Sequence, residues 1–493
     1  MAALVIVLAA QDYAHFPYSD GPEQGAAVRA LVHSMTAPGD PIVNEDVPSS
    51  RYVPSTVLMA LVVRTLGIDI ITALKIFTCI FCGFFLVSAY FFCRAYFDDP
   101  RMPPLCIAAL LFLWGTGWKG SNAYMLSALA YNAYYSSVVA FALSLLALYF
   151  QLIFLKAGSW KWFAAGATAG ALAFTNHPLT GIFFMTGSLL IFIEYRGMTV
   201  RAAQLFLGFI IPALVFMALW PYYDFFSAFM GVASGDMSHN ADFMMSWTYL
   251  HSQPLIRLGP ALGGMLLLPA LVRQRRHIFL TGGFFIFSGI YVLGYVVRFP
   301  LSERFIFFAA FTLQLTFVLF FRQWLDSVHT LQRAGAWIMT LLMGAGVACQ
   351  AGLVYQEFIR PAWSIPTGAL VPQYESPNRM QKEWQSYFKK GDVVLSDMYT
   401  SWAVPVYTGA KIVTPWQTSP HVTSTAERVR DVALFYNQDT DDQKRMDILK
   451  KYAVSHILIH YAIDGRDLEP SLRRLNVSEV ARTQAYAIFK CNR

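Results

Sequence analysis

The side chains with chemical promise in this sequence gather in a few short polar segments between long apolar runs. The first segment is Tyr18-Ser-Asp20-Gly-Pro-Glu23, at the head of a helical pattern. A carboxylate there can take a proton from an acceptor hydroxyl, although Ser-Asp-Gly-Pro is also ordinary turn and capping chemistry. The second is Arg298-Phe-Pro-Leu-Ser-Glu303-Arg304. Arginine forks grip phosphate through paired N–H groups; the plainer alternative pairs Glu303 with one arginine and lets the other snorkel. The third is Asn176-His177-Pro178, where a junction histidine serves more often as a hydrogen-bonded structural residue than as an acid or base. A fourth, 234–242, puts Asp236, His239 and Asp242 in one loop, with spacing that matches no standard metal-ligand pattern.

The elements that must position these groups are mostly apolar helices. Of 493 residues, 56% are hydrophobic and 14% charged, against about a quarter charged in soluble domains. The deficit is concentrated between Ile70 and Tyr355. A spanning helix needs about 20 apolar residues, and candidates fall at 71–95, 104–118, 132–155, 160–176, 178–194, 203–220, 258–272, 278–297, 305–321 and 336–357. Met1–Ala10 covers about half of a ~30 Å core and reads as a spanning helix whose beginning lies upstream or, alternatively, as a short interfacial segment. The fold class expected is therefore an α-helical polytopic membrane domain of about eleven transmembrane helices with a C-terminal extracytoplasmic α/β domain. The division expected is 1–357, including an ordered first outer loop at 11–69, and 358–493.

Charge sets the direction. Arg94, Arg101, Lys156, Lys161, Arg196, Arg201, Arg273, Arg275, Arg276, Arg322 and Arg333 fall in one set of connections, whereas 119–131, 221–257 and 298–304 are poorer in basic residues. The positive-inside rule puts the first set in the cytoplasm. By parity, the first loop and everything after Arg360 lie outside. The net charge of +7 is thus a matter of topology and points to no nucleic acid. The six cysteines lie mostly within or beside apolar runs and form no disulfide framework.

Within the first loop, Pro22–Met35 and Val53–Leu66 carry helical patterns. In the tail, strands are expected at Asp392–Ser396, Lys411–Val413, His456–His460 and, as an edge, Ala485–Lys490. Helices are expected at Thr400–Tyr407, Ser424–Tyr436 and Asp441–Tyr452. The centres of the spans carry almost no ionisable residue, unlike those of ion-coupled carriers. No Walker, HExxH or Rossmann glycine motif is present.

Taken along the whole chain, this layout resembles the GT-C glycosyltransferases that use polyprenyl- or dolichyl-phosphate sugars. The segments that carry the resemblance are Ser19-Asp20-Gly-Pro-Glu23, Gly39-Asp-Pro-Ile-Val, Arg51-Tyr-Val-Pro, Asn132-Ala-Tyr-Tyr-Ser-Ser, Thr175-Asn-His-Pro-Leu-Thr-Gly181, Phe299-Pro-Leu-Ser-Glu-Arg-Phe305 and Asp397–Gly409. The resemblance implies that an acid of the first loop is the catalytic base. Asp20 matches, with Glu23 beside it and Asp12, Asp40, Glu45 and Asp46 in reserve. That superfamily usually has two nearly adjacent acids; here Gly21 and Pro22 follow Asp20 instead. The resemblance also implies that Arg304 or Arg298 contacts the donor phosphate, with His177, Tyr18 and Arg51 lining the site.

The implied chemistry is inverting transfer of a sugar from a polyprenyl-phosphate donor to a glycan, lipid or protein acceptor outside a bacterial inner membrane. Some members use a divalent cation, and no metal cluster stands out in this sequence. The tail would help to bind the acceptor, with Tyr399–Trp402 as one surface, although packing on the membrane domain is the plainer role for that segment. Two rival readings remain open: a transporter or lipid flippase, and a non-catalytic scaffold subunit of a polysaccharide assembly system. Asn476-Val-Ser is a glycosylation sequon.

Overall fold

The computed structural model describes residues 21–118, 120–226, 253–274, 276–299, 301–356, 382–415, 421–422, 424–464 and 468–492. Asp20, Tyr18, Asp12 and the 234–242 segment lie outside them, as does the first apolar run. The chain divides into two units. One comprises 1–11, 75–220 and 239–368; the other comprises 12–74, 221–238 and 369–493.

The first unit is a helical membrane bundle. Among the described residues, eight helices are long and apolar enough to cross a bilayer: Ile70–Phe97, Ser136–Ala157, Pro178–Arg196, Val200–Ala218, Pro254–Gln274, Ile278–Val296, Ser302–Leu325 and Thr330–Val354. Trp160–Asn176 has 17 residues. Where a span is expected at 104–118, the helix Met102–Phe112 is shorter. Trp114 follows it, buried, with its indole N–H donating to the Leu110 carbonyl at 2.7 Å. Ser302–Leu325 is the central helix, with nearly every side chain buried as far as Phe320.

Aromatic rings fill the centre of the bundle. Phe141 and Phe183 lie 4.9 Å apart edge to face, and Phe183 and Phe308 lie 5.1 Å apart. Such pairs add to apolar burial through complementary ring quadrupoles. Polar side chains are buried among them. Gln314 donates to the Leu113 carbonyl at 3.1 Å and accepts from Tyr124 at 3.0 Å. The span Pro254–Gln274 is 3-10 wound from Gly259 to Leu267. Gly264 there lies against the Leu313 backbone, leaving no room for a Cβ.

The second unit joins the tail to the first loop. Its sheet has five strands, β1 Val393–Leu395, β2 Lys411–Ile412, β3 His456–His460, β4 Val477–Arg482 and β5 Tyr486–Cys491, in the order β2-β1-β3-β5-β4. β2, β1 and β3 are parallel, while β5 runs antiparallel to both β3 and β4. The strand expected as an edge at 485–490 is therefore internal. β4 covers it; its pattern, with polar Ser478 and Glu479, gives little apolar alternation to detect. The core beneath gathers Phe435, Ile448 and Leu449 against Ile457, Ile459 and Phe489.

The first loop contributes Gly21–His33 and Pro54–Leu66. The second of these begins with Pro54 and ends at Gly67, whose φ of 64° suits a residue without Cβ. Thr56 caps its start by accepting the Val53 N–H at 2.9 Å.

Candidate functional site

In the membrane unit, one hydrogen-bonded chain collects two of the residues that the sequence singles out. His177 ends Trp160–Asn176 and caps Pro178–Arg196, where Pro178 at the first helical position needs no partner for an N–H it lacks. Its Nδ1 lies 2.8 Å from the Thr180 hydroxyl and accepts the Thr180 N–H at 3.3 Å. The same hydroxyl accepts from the Asn122 amide at 3.0 Å. Next in sequence, the Ser121 hydroxyl accepts from Arg304 Nη1 at 3.0 Å, and the Ser137 hydroxyl donates to the Ser121 carbonyl. Asn132 holds the segment from the other side, donating to the carbonyls of Gly120 at 3.1 Å and Ala123 at 2.9 Å. His177 is thus a junction residue that shares its network with Arg304.

Arg304 ends a single 3-10 turn, Ser302–Arg304, that opens the central span. Its nearest carboxylate oxygen among the described residues, on buried Glu303, is 3.9 Å away, beyond a normal hydrogen bond. Its one short contact among the described residues is to a neutral hydroxyl. Arg298 is exposed in the preceding turn at φ 55°, and no ion pair involves it among the described residues.

Sequence reasoning missed a third cation, Arg257. Its Nη1 donates to the Gly117 carbonyl at 3.1 Å, and its guanidinium lies 5.8 Å from the Trp118 ring centre. The segment 115–122 therefore receives both Arg257 and Arg304. The available signal was an arginine near the start of a span on the side otherwise poor in basic residues.

In the second unit, Glu23 is 2% exposed in the first turn of Gly21–His33 and forms an ion pair with Arg51. The structure thus brings together two of the first-loop residues on the expected list. The reserve acids are engaged in shaping the loop. Asp40 accepts the N–H groups of Ile42 at 2.9 Å and Val43 at 2.8 Å. Burial pushes its pKa up, partly opposed by those donors and by Lys411. Glu45 accepts from Arg428 at 2.8 and 3.0 Å. At the surface proposed for the acceptor, Thr400 is capped by Asp397 at 2.9 Å, and Ser401 and Trp402 are buried. No group of three or more His, Cys, Asp or Glu side chains forms a metal cluster among the described residues.

No protein-family model matches the chain, and no curated protein matches it in sequence. Its structure does have relatives. The arabinofuranosyltransferase AftD from mycobacteria superposes with a TM-score of 0.57 at 12% identity, covering 100% of this chain. The chain has the fold of the GT-C membrane glycosyltransferases. The oligosaccharyltransferase of Archaeoglobus fulgidus in its apo form gives a TM-score of 0.55 at 9% identity, over 100% of this chain and 74% of that one. The same enzyme with zinc and sulfate gives 0.52 at 11%, over 94% and 68%. The chain spans only 39% of the length of AftD.

Proposed function

We propose that this membrane protein is a GT-C glycosyltransferase that moves a sugar from a polyprenyl-phosphate donor to an extracytoplasmic acceptor. The observation that carries the reading is Arg304, a cation at a span end whose nearest carboxylate oxygen among the described residues is 3.9 Å away. A lipid phosphate supplies the missing anion, and the spans offer apolar surface for its tail. Arg298 and Arg257 add positive charge to the same set of span ends.

In this scheme Asp20 takes the proton of the acceptor hydroxyl. The acceptor oxygen bonds to the anomeric carbon, whose bond to the phosphate oxygen breaks with inversion. The electron pair leaves on the polyprenyl phosphate, stabilised by Arg304. Glu23, its charge answered by Arg51, orients the loop that carries Asp20. The reading puts the first loop and the tail outside a bacterial inner membrane, in keeping with the basic residues of the opposite connections.

The test is transfer by the purified chain in lipid nanodiscs, with polyprenyl-phosphate pentose and hexose donors. Turnover by the wild type and its loss in Asp20→Asn, with unchanged thermal stability, is the expected result. Full turnover in Asp20→Asn removes the proposed base. No turnover with any donor, together with donor-independent binding to a glycan-assembly partner, favours the scaffold reading.

A further inference from the structure

Among its described residues the first loop has two helices of 13 residues each, too little to bury a core of its own. Yet Glu23, Gln24 and Asp40 are almost wholly buried in it. Their shelter comes from the tail. The loop runs along β2 as an added parallel partner: Val43 bridges Ile412, and the Ile412 N–H donates to the Ile42 carbonyl at 2.9 Å. Lys411 donates from its ammonium to the Asp40 carbonyl. Glu45 receives Arg428 through two N–H groups and also the Ser424 hydroxyl.

Arg428 itself is fixed independently, by the Val413 carbonyl at 2.7 Å and the Tyr452 ring at 4.9 Å. The helix that bears Glu23 is held too. Arg29 donates to the Val406 carbonyl at 2.7 Å, and Gly25 leaves no space for a Cβ beside the Val406 side chain. The Tyr52 hydroxyl closes the loop on the Gly39 carbonyl at 2.6 Å, next to the Arg51 that pairs with Glu23.

We infer that the C-terminal sheet is the template that positions the acid-bearing first loop, with Glu45 and Arg29 as the loop's positioning residues and Arg428 and Lys411 as their anchors. The tail then acts on the chemical step through the loop it holds. Catalytic groups must be held to about 0.5 Å, and a charge pair whose anchor is already rigid supplies that at little cost in freedom. This inference rests on the transferase reading for its consequence in turnover, but not for its structural content.

The test compares Glu45→Ala and Arg29→Met with wild type in nanodiscs, by amide hydrogen exchange and by transfer kinetics. Exchange is expected to rise about tenfold or more across 21–33 and 38–53, with β3 unchanged. With it, kcat should fall while the donor KM holds, and Glu45→Gln should recover part of the loss. Unchanged exchange in the loop overturns the inference, and so does equal loosening of β3, which would mean general unfolding. A loosened loop with full kcat overturns the positioning role. A wild type inactive with every donor defeats only the transferase reading, because the exchange result stands apart from it.

Discussion

The two ends of the membrane bundle treat charge in opposite ways. At the end that holds Arg94, Lys156 and Arg322, acids accompany the bases. Arg322 meets Asp99 at 3.3 Å and also Asp326, Arg101 meets Asp326 at 3.8 Å, and Arg94 and Lys156 each meet Asp98 at 3.8 Å. At the other end, Arg257 and Arg304 donate to a carbonyl and a hydroxyl, and among the described residues no carboxylate comes closer to Arg304 than 3.9 Å. Bases paired on the protein have little left for a ligand. Arg257 and Arg304 are each fixed in direction by a neutral group. The proposed function uses the end poorer in basic residues, where each cation needs a reason.

The largest expected effect follows from removing that charge. Arg304→Gln should lower transfer by about 10² to 10³, the usual loss when one donor to a developing anion is deleted. Arg304→Lys should recover part of it, since a lysine keeps the charge and loses the fork. Thermal stability should stay near wild type, because Ser121 is the residue's one short partner among those described. Steady-state kinetics with a polyprenyl-phosphate donor decides it; unaltered kcat and KM would break the contrast between the ends.

A smaller loss should come from the network beneath the arginine. Thr180→Val leaves the Asn122 amide, on a residue 5% exposed, without the acceptor it has at 3.0 Å. Such a group costs about 1–3 kcal/mol, read as a lowered denaturation midpoint. The same variant should reduce kcat several-fold, because Asn122 adjoins the Ser121 that aims Arg304. A stability loss with no kinetic change would reduce the network to packing.

The tail offers a pH effect of its own. Burial, and then the neighbouring Asp397, push Asp464 up to about 7, against the His460 N–H that it accepts at 2.9 Å. A raised carboxyl favours folding while neutral, so this contribution is full below about pH 4 and is lost as pH rises through about 7. Comparing wild type with Asp464→Asn should show wild-type stability falling across that window relative to the variant. Parallel curves would remove the shift.

The bundle was legible because an apolar run of spanning length has few other uses, and Val138–Leu155 and Phe305–Phe321 are such runs. The parallel strands at 393–395 and 456–460 were equally plain, being short, apolar and buried. β4 was not, since Ser478 and Glu479 on an exposed edge break the alternation. At the site, Arg304 and His177 were visible as a charge in the wrong place and a histidine before proline. Ser121, Asn122 and Thr180 were not, because neutral hydroxyls and amides near span ends are common and gain meaning only from their partners. Nor was the tie between Glu45 and Arg428, because a contact across most of the chain leaves no local pattern.

The smallest effect should come from the paired end. Arg322 is mostly buried and Asp326 is 60% exposed, so Asp326→Asn removes one partner while Asp99 remains at 3.3 Å. Exposed pairs contribute about 0–1 kcal/mol, screened further by salt. Arg322 keeps a carboxylate, so no buried charge is stranded. The midpoint of unfolding should therefore move little, and transfer should match wild type at every donor concentration. If Asp326→Asn instead lowered kcat as far as Arg304→Gln does, the cations of the two ends would be equally important to turnover. The assignment of function to one end would then have to be abandoned.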